Sequence, residues 1–177
     1  MKAVKTIILG LCITALIPSV QAQKFGVKAG LNIANVTGDD VGDTKARTGF
    51  YAGVFKEITL VPSLLFIVPE AQYSSQGFKS DDEDYAINYV NIPVVARVYI
   101  LKLFSLEGGV QAGFKVSDNL PDGSDIKTLD TGIVGGVGLN FPMGLGIQAR
   151  FIQGVSEIIE DAEAKNQVLQ VGASFKF

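Results

Sequence analysis

Histidine and tryptophan are absent from this chain, and cysteine occurs once, at Cys12. Without histidine there is no imidazole base for a Ser-His-Asp triad and no imidazole ligand for zinc. Cys12 lies in an N-terminal stretch that reads as cleaved, so the mature chain is expected to hold no thiol nucleophile and no disulfide. Charge is thin: Asp, Glu, Lys and Arg make up 19% of the 177 residues, and the net charge is −3. Long apolar runs are scarce too. The stretch from Thr6 to Ile17 covers twelve residues, short of the ~20 that a spanning helix needs.

What that stretch fits is a secretory signal. Lys2 and Lys5 supply the charged start, Thr6 to Ile17 the apolar centre, and Val20-Gln21-Ala22 the small-residue cleavage site. Leu11 stands where a lipoprotein signal needs a small residue before Cys12. The expected organisation is a signal peptide over 1–22 and one domain over 23–177.

Fourteen of the eighteen acidic residues fall in four clusters: Asp39, Asp40 and Asp43; Asp81 to Asp84; Asp118, Asp122 and Asp125; and Glu157, Glu160, Asp161 and Glu163. Between them lie short connections near Thr59 to Ser63, Leu101 to Leu103 and Phe141 to Gly144. In an up-and-down barrel successive connections alternate between the two rims, so the acidic clusters share one end and the tight turns the other. Outer-membrane barrels have this asymmetry, with long loops outside and short turns in the periplasm.

The intervening segments alternate with period two, as strands with unlike faces do. Phe25, Val27, Ala29, Leu31 and Ile33 oppose Gly26, Lys28, Gly30, Asn32 and Ala34. Leu106 to Val116 and Ile133 to Phe141 repeat the pattern, as do Leu145 to Phe151 and Leu169 to Phe177. One face is apolar throughout, while the other mixes glycine, amides and isolated charges. So sparse a polar face fits a narrow lumen and not a water-exposed exterior. Eight strands are expected, at roughly 24–36, 48–59, 63–78, 85–100, 103–117, 128–141, 144–156 and 166–177. The predicted fold is an all-β, eight-stranded antiparallel up-and-down transmembrane β-barrel. Closure is required because lipid offers no partner to an open sheet edge.

Further expectations follow from this frame. Phe25, Phe104, Phe141, Phe175 and Phe177 would form one interfacial girdle, and Tyr73, Phe78, Tyr85, Tyr89, Phe114 and Phe151 the other. Pro69 and Pro93 fall inside strands, where bulges are expected. Lys28, Glu70, Arg97, Glu107, Lys115 and Arg150 point inward by alternation, and charges in so narrow a space must pair or stay hydrated. A salt-bridge network closing the lumen is the leading reading, with a water-filled pore as its rival.

The segment Phe25-Gly26-Val27-Lys28-Ala29-Gly30-Leu31-Asn32 resembles the first strand of the PorT-like outer-membrane β-barrel family, and Tyr89 to Tyr99, with Pro93 ahead of apolar residues and Arg97, is similar to its central strand. The glycine run Gly132 to Asn140, Gln148-Ala149-Arg150-Phe151 and the terminal Phe175-Lys176-Phe177 occur in the same order. The resemblance implies an eight-stranded barrel in a Gram-negative outer membrane, without an assigned activity. The final Phe177 also resembles the signal such barrels present to their insertion machinery.

The functional expectation is an integral outer-membrane barrel with a structural or interaction role and no cofactor. Its partners would be outer-membrane lipid and lipopolysaccharide, the insertion machinery, and an extracellular or envelope protein. Ser74, Ser75, Ser117 and Ser156 have acidic neighbours but no evident base, which argues against an enzyme. Asp118 to Asp125 offers oxygen ligands but lacks the spacing and distal glutamate of an EF-hand. Nucleic acid is excluded as a partner by a loop rim carrying fourteen acidic residues against Lys45, Arg47, Lys79, Lys127 and Lys165. Two alternatives stay open here: a secreted lipocalin-like barrel with an apolar ligand inside, and a lipid-modifying enzyme at the rim.

Overall fold

The computed structural model describes residues 24–37, 45–80, 83–119, 127–156 and 165–177. The expected signal peptide, 1–22, and most of the acidic-cluster residues lie outside these residues. Eight strands follow one another: β1 (Lys24–Thr37), β2 (Lys45–Val61), β3 (Leu65–Ser80), β4 (Glu83–Ile100), β5 (Phe104–Asp118), β6 (Leu129–Asn140), β7 (Leu145–Gly154) and β8 (Lys165–Lys176). Each pairs antiparallel with the next, and β1 pairs with β8 from Gly26↔Lys176 to Thr37↔Lys165, closing the barrel. Closure leaves no edge strand, so the sheet backbone is paired around the whole circumference.

The alternation read from the sequence sets the two faces. Outward and exposed are Phe25, Val27, Leu31 and Ile33 on β1, with Val94, Val110 and Ile133 aligned across β4, β5 and β6. Inward and buried are Lys28, Asn32, Gln72, Asn91, Gln148 and Gln170. A soluble barrel binding an apolar ligand would need the reverse arrangement, and the lipocalin-like alternative ends here. The interior is not wholly polar, because Phe55, Val68, Val95, Val134, Ile152 and Val168 pack together within it.

Two expectations are corrected. The ladder passes both strand prolines without a slip, running from Pro69↔Val94 to Gln72↔Asn91 and through Pro93↔Gln111. A proline removes one donor without adding a residue, so pairing resumes in the same register. The irregularities lie instead between Ala46 and Tyr51, between Thr59 and Val61, and between Asn88 and Tyr89. The loop-side girdle also loses members: Phe78 packs inside against the Ile87 and Tyr89 cluster, its cross-strand partner Tyr85 shares that face, and Tyr89 is 1% exposed and points into the lumen. Its phase matches Asn91 and Arg97, which are inward on the same strand.

At one end the connections are tight, and four non-glycine residues accept left-handed backbone there: Ser63, Leu101, Lys102 and Met143. The opposite end bears the loops.

Glycines decide how closely strands and inward rings approach. Gly172 faces Tyr51, and a Cβ there would lie 2.4 Å from the tyrosine oxygen and 2.3 Å from the Ala29 carbonyl. Gly135 faces outward with open space around it. Gly172→Ala is therefore expected to destabilise by about 1–3 kcal/mol through overpacking. Gly135→Ala is expected to be neutral or to stabilise by about 0.5–1 kcal/mol, because it lowers the backbone entropy lost on folding. Urea titration read by gel mobility of unboiled samples separates the two.

Candidate functional site

Inward charges on seven strands join into one chain across the lumen. Lys28 on β1 places its ammonium 2.6 Å from Glu70 on β3. Arg150 on β7 grips the same carboxylate with two bonds, Nη1 to Oε2 and Nη2 to Oε1, each 2.7 Å. The Nε of Arg150 donates to Glu107 Oε2 at 2.6 Å, and the Nε of Arg97 on β4 donates to Glu107 Oε1 at 2.6 Å. Arg97 also donates to Glu57 on β2, which accepts from the Tyr99 hydroxyl at 2.5 Å. Lys176 on β8 ends the chain, 3.3 Å from Glu57 Oε2 and 2.8 Å from the Tyr99 oxygen. The order is Lys28, Glu70, Arg150, Glu107, Arg97, Glu57, Lys176, so every neighbour carries the opposite sign.

Among the described residues, β6 alone adds no charge to this chain, and its contribution is space. Gly136 and Gly138 face inward, and a Cβ on Gly136 would meet the Arg150 Cγ at 2.8 Å. The glycine run of the sequence is thus the wall against which the arginine lies. Rings flank the cations on other sides: Lys28 stands 5.6 Å from the Tyr51 ring, and the Arg97 guanidinium 5.6 Å from the Phe55 ring. Such contacts favour cations that have lost their water.

The structure brings together five of the six residues expected inward, namely Lys28, Glu70, Arg97, Glu107 and Arg150. Lys115 shares the inward face with its cross-strand partner Tyr89 but does not join them. It lies toward the loop end of β5, beyond the buried layer, and its ammonium pairs with Asp118 at 2.8 Å in a partly exposed position. Glu57 and Lys176 join the chain beyond the six expected: alternation with Phe175 and Phe177 already puts Lys176 on the inward face of β8, whereas Glu57 has no such signal. In β2 both faces carry apolar residues and adjacent charges, Lys56 and Glu57, so the phase is ambiguous from sequence. Lys56 turns outward and lies 5.1 Å from the Phe25 ring at the turn end. Phe177 is 73% exposed, and its N–H bonds the Phe25 carbonyl at 3.0 Å.

Space in the lumen follows from this packing. Beside Arg97, Glu107 and Gln148 a void of about 10 Å³ remains, close to the smallest space that one water needs. Toward the turns the barrel opens into a cavity of about 480 Å³ whose walls include Lys24, Glu57, Phe66, Tyr99 and Lys176. On the loop side a network of amides and hydroxyls runs to the Asp130 carboxyl group: Asn32 donates to Ser74 at 2.9 Å, Gln76 donates to Ser74 at 2.9 Å, and Asn166 donates to Gln76 and Asp130. Among the described residues no three His, Cys, Asp or Glu side chains converge as metal ligands.

A closed antiparallel barrel, apolar outside and charged within, is an integral membrane β-barrel of the outer-membrane kind. Residues 21–160 match the model of the outer membrane protein beta-barrel domain, and the chain belongs to that family. It resides in the outer membrane of a Gram-negative cell. Similar solved structures include Ail, the attachment invasion locus protein of Yersinia pestis, at 15% identity and TM-score 0.56, covering 89% of this chain and 100% of that one. Ail in complex with the heparin analogue sucrose octasulfate aligns at 18% identity and TM-score 0.59, with the same coverage, 89% and 100%. Neisserial surface protein A aligns at 13% identity and TM-score 0.59, covering 86% of this chain and 97% of its own. At these identities the likeness is one of fold. No curated protein matches the chain.

Proposed function

We propose that this protein is a closed, non-conducting outer-membrane platform whose acidic loops face the cell exterior and meet envelope or extracellular partners. The observation that carries this reading is the alternating charge chain from Lys28 to Lys176, which leaves about 10 Å³ free beside Arg97 and Glu107. A pore would need a continuous water path, and eight strands leave little room for one once side chains fill the interior. The tight turns at Ser63, Leu101 and Met143 suit the periplasmic rim, and the acidic connections suit the outer one, those at 38–44, 119–128 and 155–164 being long and the one at 81–82 short. Within the family, the order of the Phe25, Tyr89, Gly132 and Gln148 segments supports a PorT-like affiliation. Exposed Phe177 at the end of β8 supports its reading as part of the signal to the insertion machinery.

The non-catalytic reading rests on composition: the chain has no histidine, and its one cysteine lies in the signal segment. The partner class follows from charge. Ail crystallised with a polyanion, but a rim rich in aspartate and glutamate repels polyanions and favours cationic surfaces, or lipopolysaccharide bridged by divalent ions.

Two measurements test the proposal. Reconstitution in planar bilayers is expected to give no stepwise conductance. Cysteines introduced singly at Asp122 and at Lys102 report orientation, because the mature chain has no other thiol. An impermeant maleimide added to intact cells is expected to label Asp122→Cys and spare Lys102→Cys. Regular conductance steps, or the inverse labelling, would overturn it.

A further inference from the structure

The loop end of the lumen holds a buried carboxylate that the charge chain does not use. Asp130 opens β6 facing inward, 8% exposed, and among the described residues it forms no ion pair. Its Oδ1 accepts from the Ser156 hydroxyl at 3.1 Å and its Oδ2 from the Asn166 amide at 3.3 Å. Of the basic groups toward this end, Arg47 bonds Ser75 and Gln76, and Lys115 pairs with Asp118. The segments 38–44, 81–82, 120–126 and 157–164 contain eleven aspartates and glutamates and no lysine, arginine or histidine. No counter-charge for Asp130 comes from them.

An ionised carboxylate inside a protein is strongly unfavourable unless something neutralises it. Two buried oxygens at this end of the lumen accept no hydrogen bond, while Ser156 Oγ accepts from the Thr131 N–H at 2.8 Å. Asn166, 5% exposed, leaves its Oδ1 buried without a partner while its other amide atom touches the carboxylate. The Tyr89 oxygen is buried and equally unpartnered. Gly113, the cross-strand partner of Asp130, gives the tyrosine room: a Cβ there would lie 3.4 Å from the ring and 3.6 Å from the Asp130 carbonyl.

We propose that this cluster binds a hard divalent cation of the calcium class, with Asp130 as its anionic ligand and Asn166 Oδ1 and Ser156 Oγ as neutral ones. Calcium takes carboxylate, amide and hydroxyl oxygens and completes its shell with water. A single carboxylate implies weak binding, with Kd on the order of 10⁻⁴–10⁻³ M, the range of extracellular modules. The acidic loops above raise the local cation concentration.

The chain's lack of tryptophan supplies the test. Terbium replaces calcium, and on the refolded mature barrel in non-ionic detergent it is excited through a neighbouring tyrosine. Saturable emission, displaced by calcium, is the expected result. Asp130→Asn is expected to weaken it by roughly tenfold or more, and Tyr89→Phe to extinguish it while calcium still raises the unfolding midpoint. The loop variant Asp122→Asn/Asp125→Asn is expected to keep the emission. Heat-dependent gel mobility confirms that each variant is folded. Emission that survives both Asp130→Asn and Tyr89→Phe, or that disappears with the loop variant, would place the ion in the loops and overturn the proposal. Absence of saturable emission would also overturn it, leaving Asp130 as a neutral acid held by Ser156 and Asn166.

Discussion

Replacing Glu107 with glutamine is expected to destabilise the barrel by about 3–5 kcal/mol, the range for removing one partner of a buried ion pair. Each carboxylate oxygen of Glu107 accepts a 2.6 Å bond from a different arginine, Arg97 on one side and Arg150 on the other. Glutamine keeps one acceptor and turns an amide N–H₂ toward the second guanidinium, so a donor faces a donor. The loss is also one of charge. Lys28, Arg97 and Arg150 balance Glu57, Glu70 and Glu107 in the buried part of the chain, and the substitution leaves one cation uncompensated in a medium that solvates it poorly. Lys115→Gln provides the contrast, because its partner Asp118 is part-exposed and such pairs contribute about 0–1 kcal/mol. Urea midpoints of both variants, refolded in lipid vesicles, check the difference. An unchanged midpoint for Glu107→Gln would remove the charge chain from the account of stability.

The second large effect is expected on the opposite face. Val110 is 60% exposed at the middle of β5, between Val94 and Ile133 on the neighbouring strands. Val110→Arg puts a guanidinium into hydrocarbon and is expected to cost about 2–4 kcal/mol of folding free energy in a bilayer. Val116 shares that face nearer the loops. There the side chain reaches the headgroups, and Val116→Arg is expected to cost only about 0–1 kcal/mol. The ratio between the two is the diagnostic, measured as folding in vesicles against urea. Equal costs would mean that the apolar band does not span the bilayer where its exposed residues place it.

How far the sequence carries the argument differs from strand to strand. In β1, β5 and β7 a single apolar face alternates with a polar one, and Lys28, Glu107 and Arg150 are assigned inward by parity alone. In β2 the inward set includes Tyr51 and Phe55, and the outward set includes Lys56. Hydrophobicity therefore does not report the phase there, and Glu57 goes unnoticed. Pairing irregularities at both ends of β2 add to the difficulty. Tyr89 shows a different failure: its parity with Asn91 and Arg97 was readable, but an aromatic near a strand end suggests a membrane girdle, and only packing over Gly113 reveals it as interior. Pro69 and Pro93 show a third, since loss of a donor is legible whereas the absence of a register slip depends on the partner strands.

Local alternation, loop lengths and charge clustering determined the strand number, the closed antiparallel order and the lipid-facing side, because each depends on neighbours a few residues apart. The tertiary structure alone decided which charges meet. Arg150 and Glu70 lie 80 positions apart and on non-adjacent strands. Their contact is set by strand tilt and stagger in the closed barrel, and by Gly136 opening the wall beside them. Those are properties of the whole circumference, and no segment of sequence contains them.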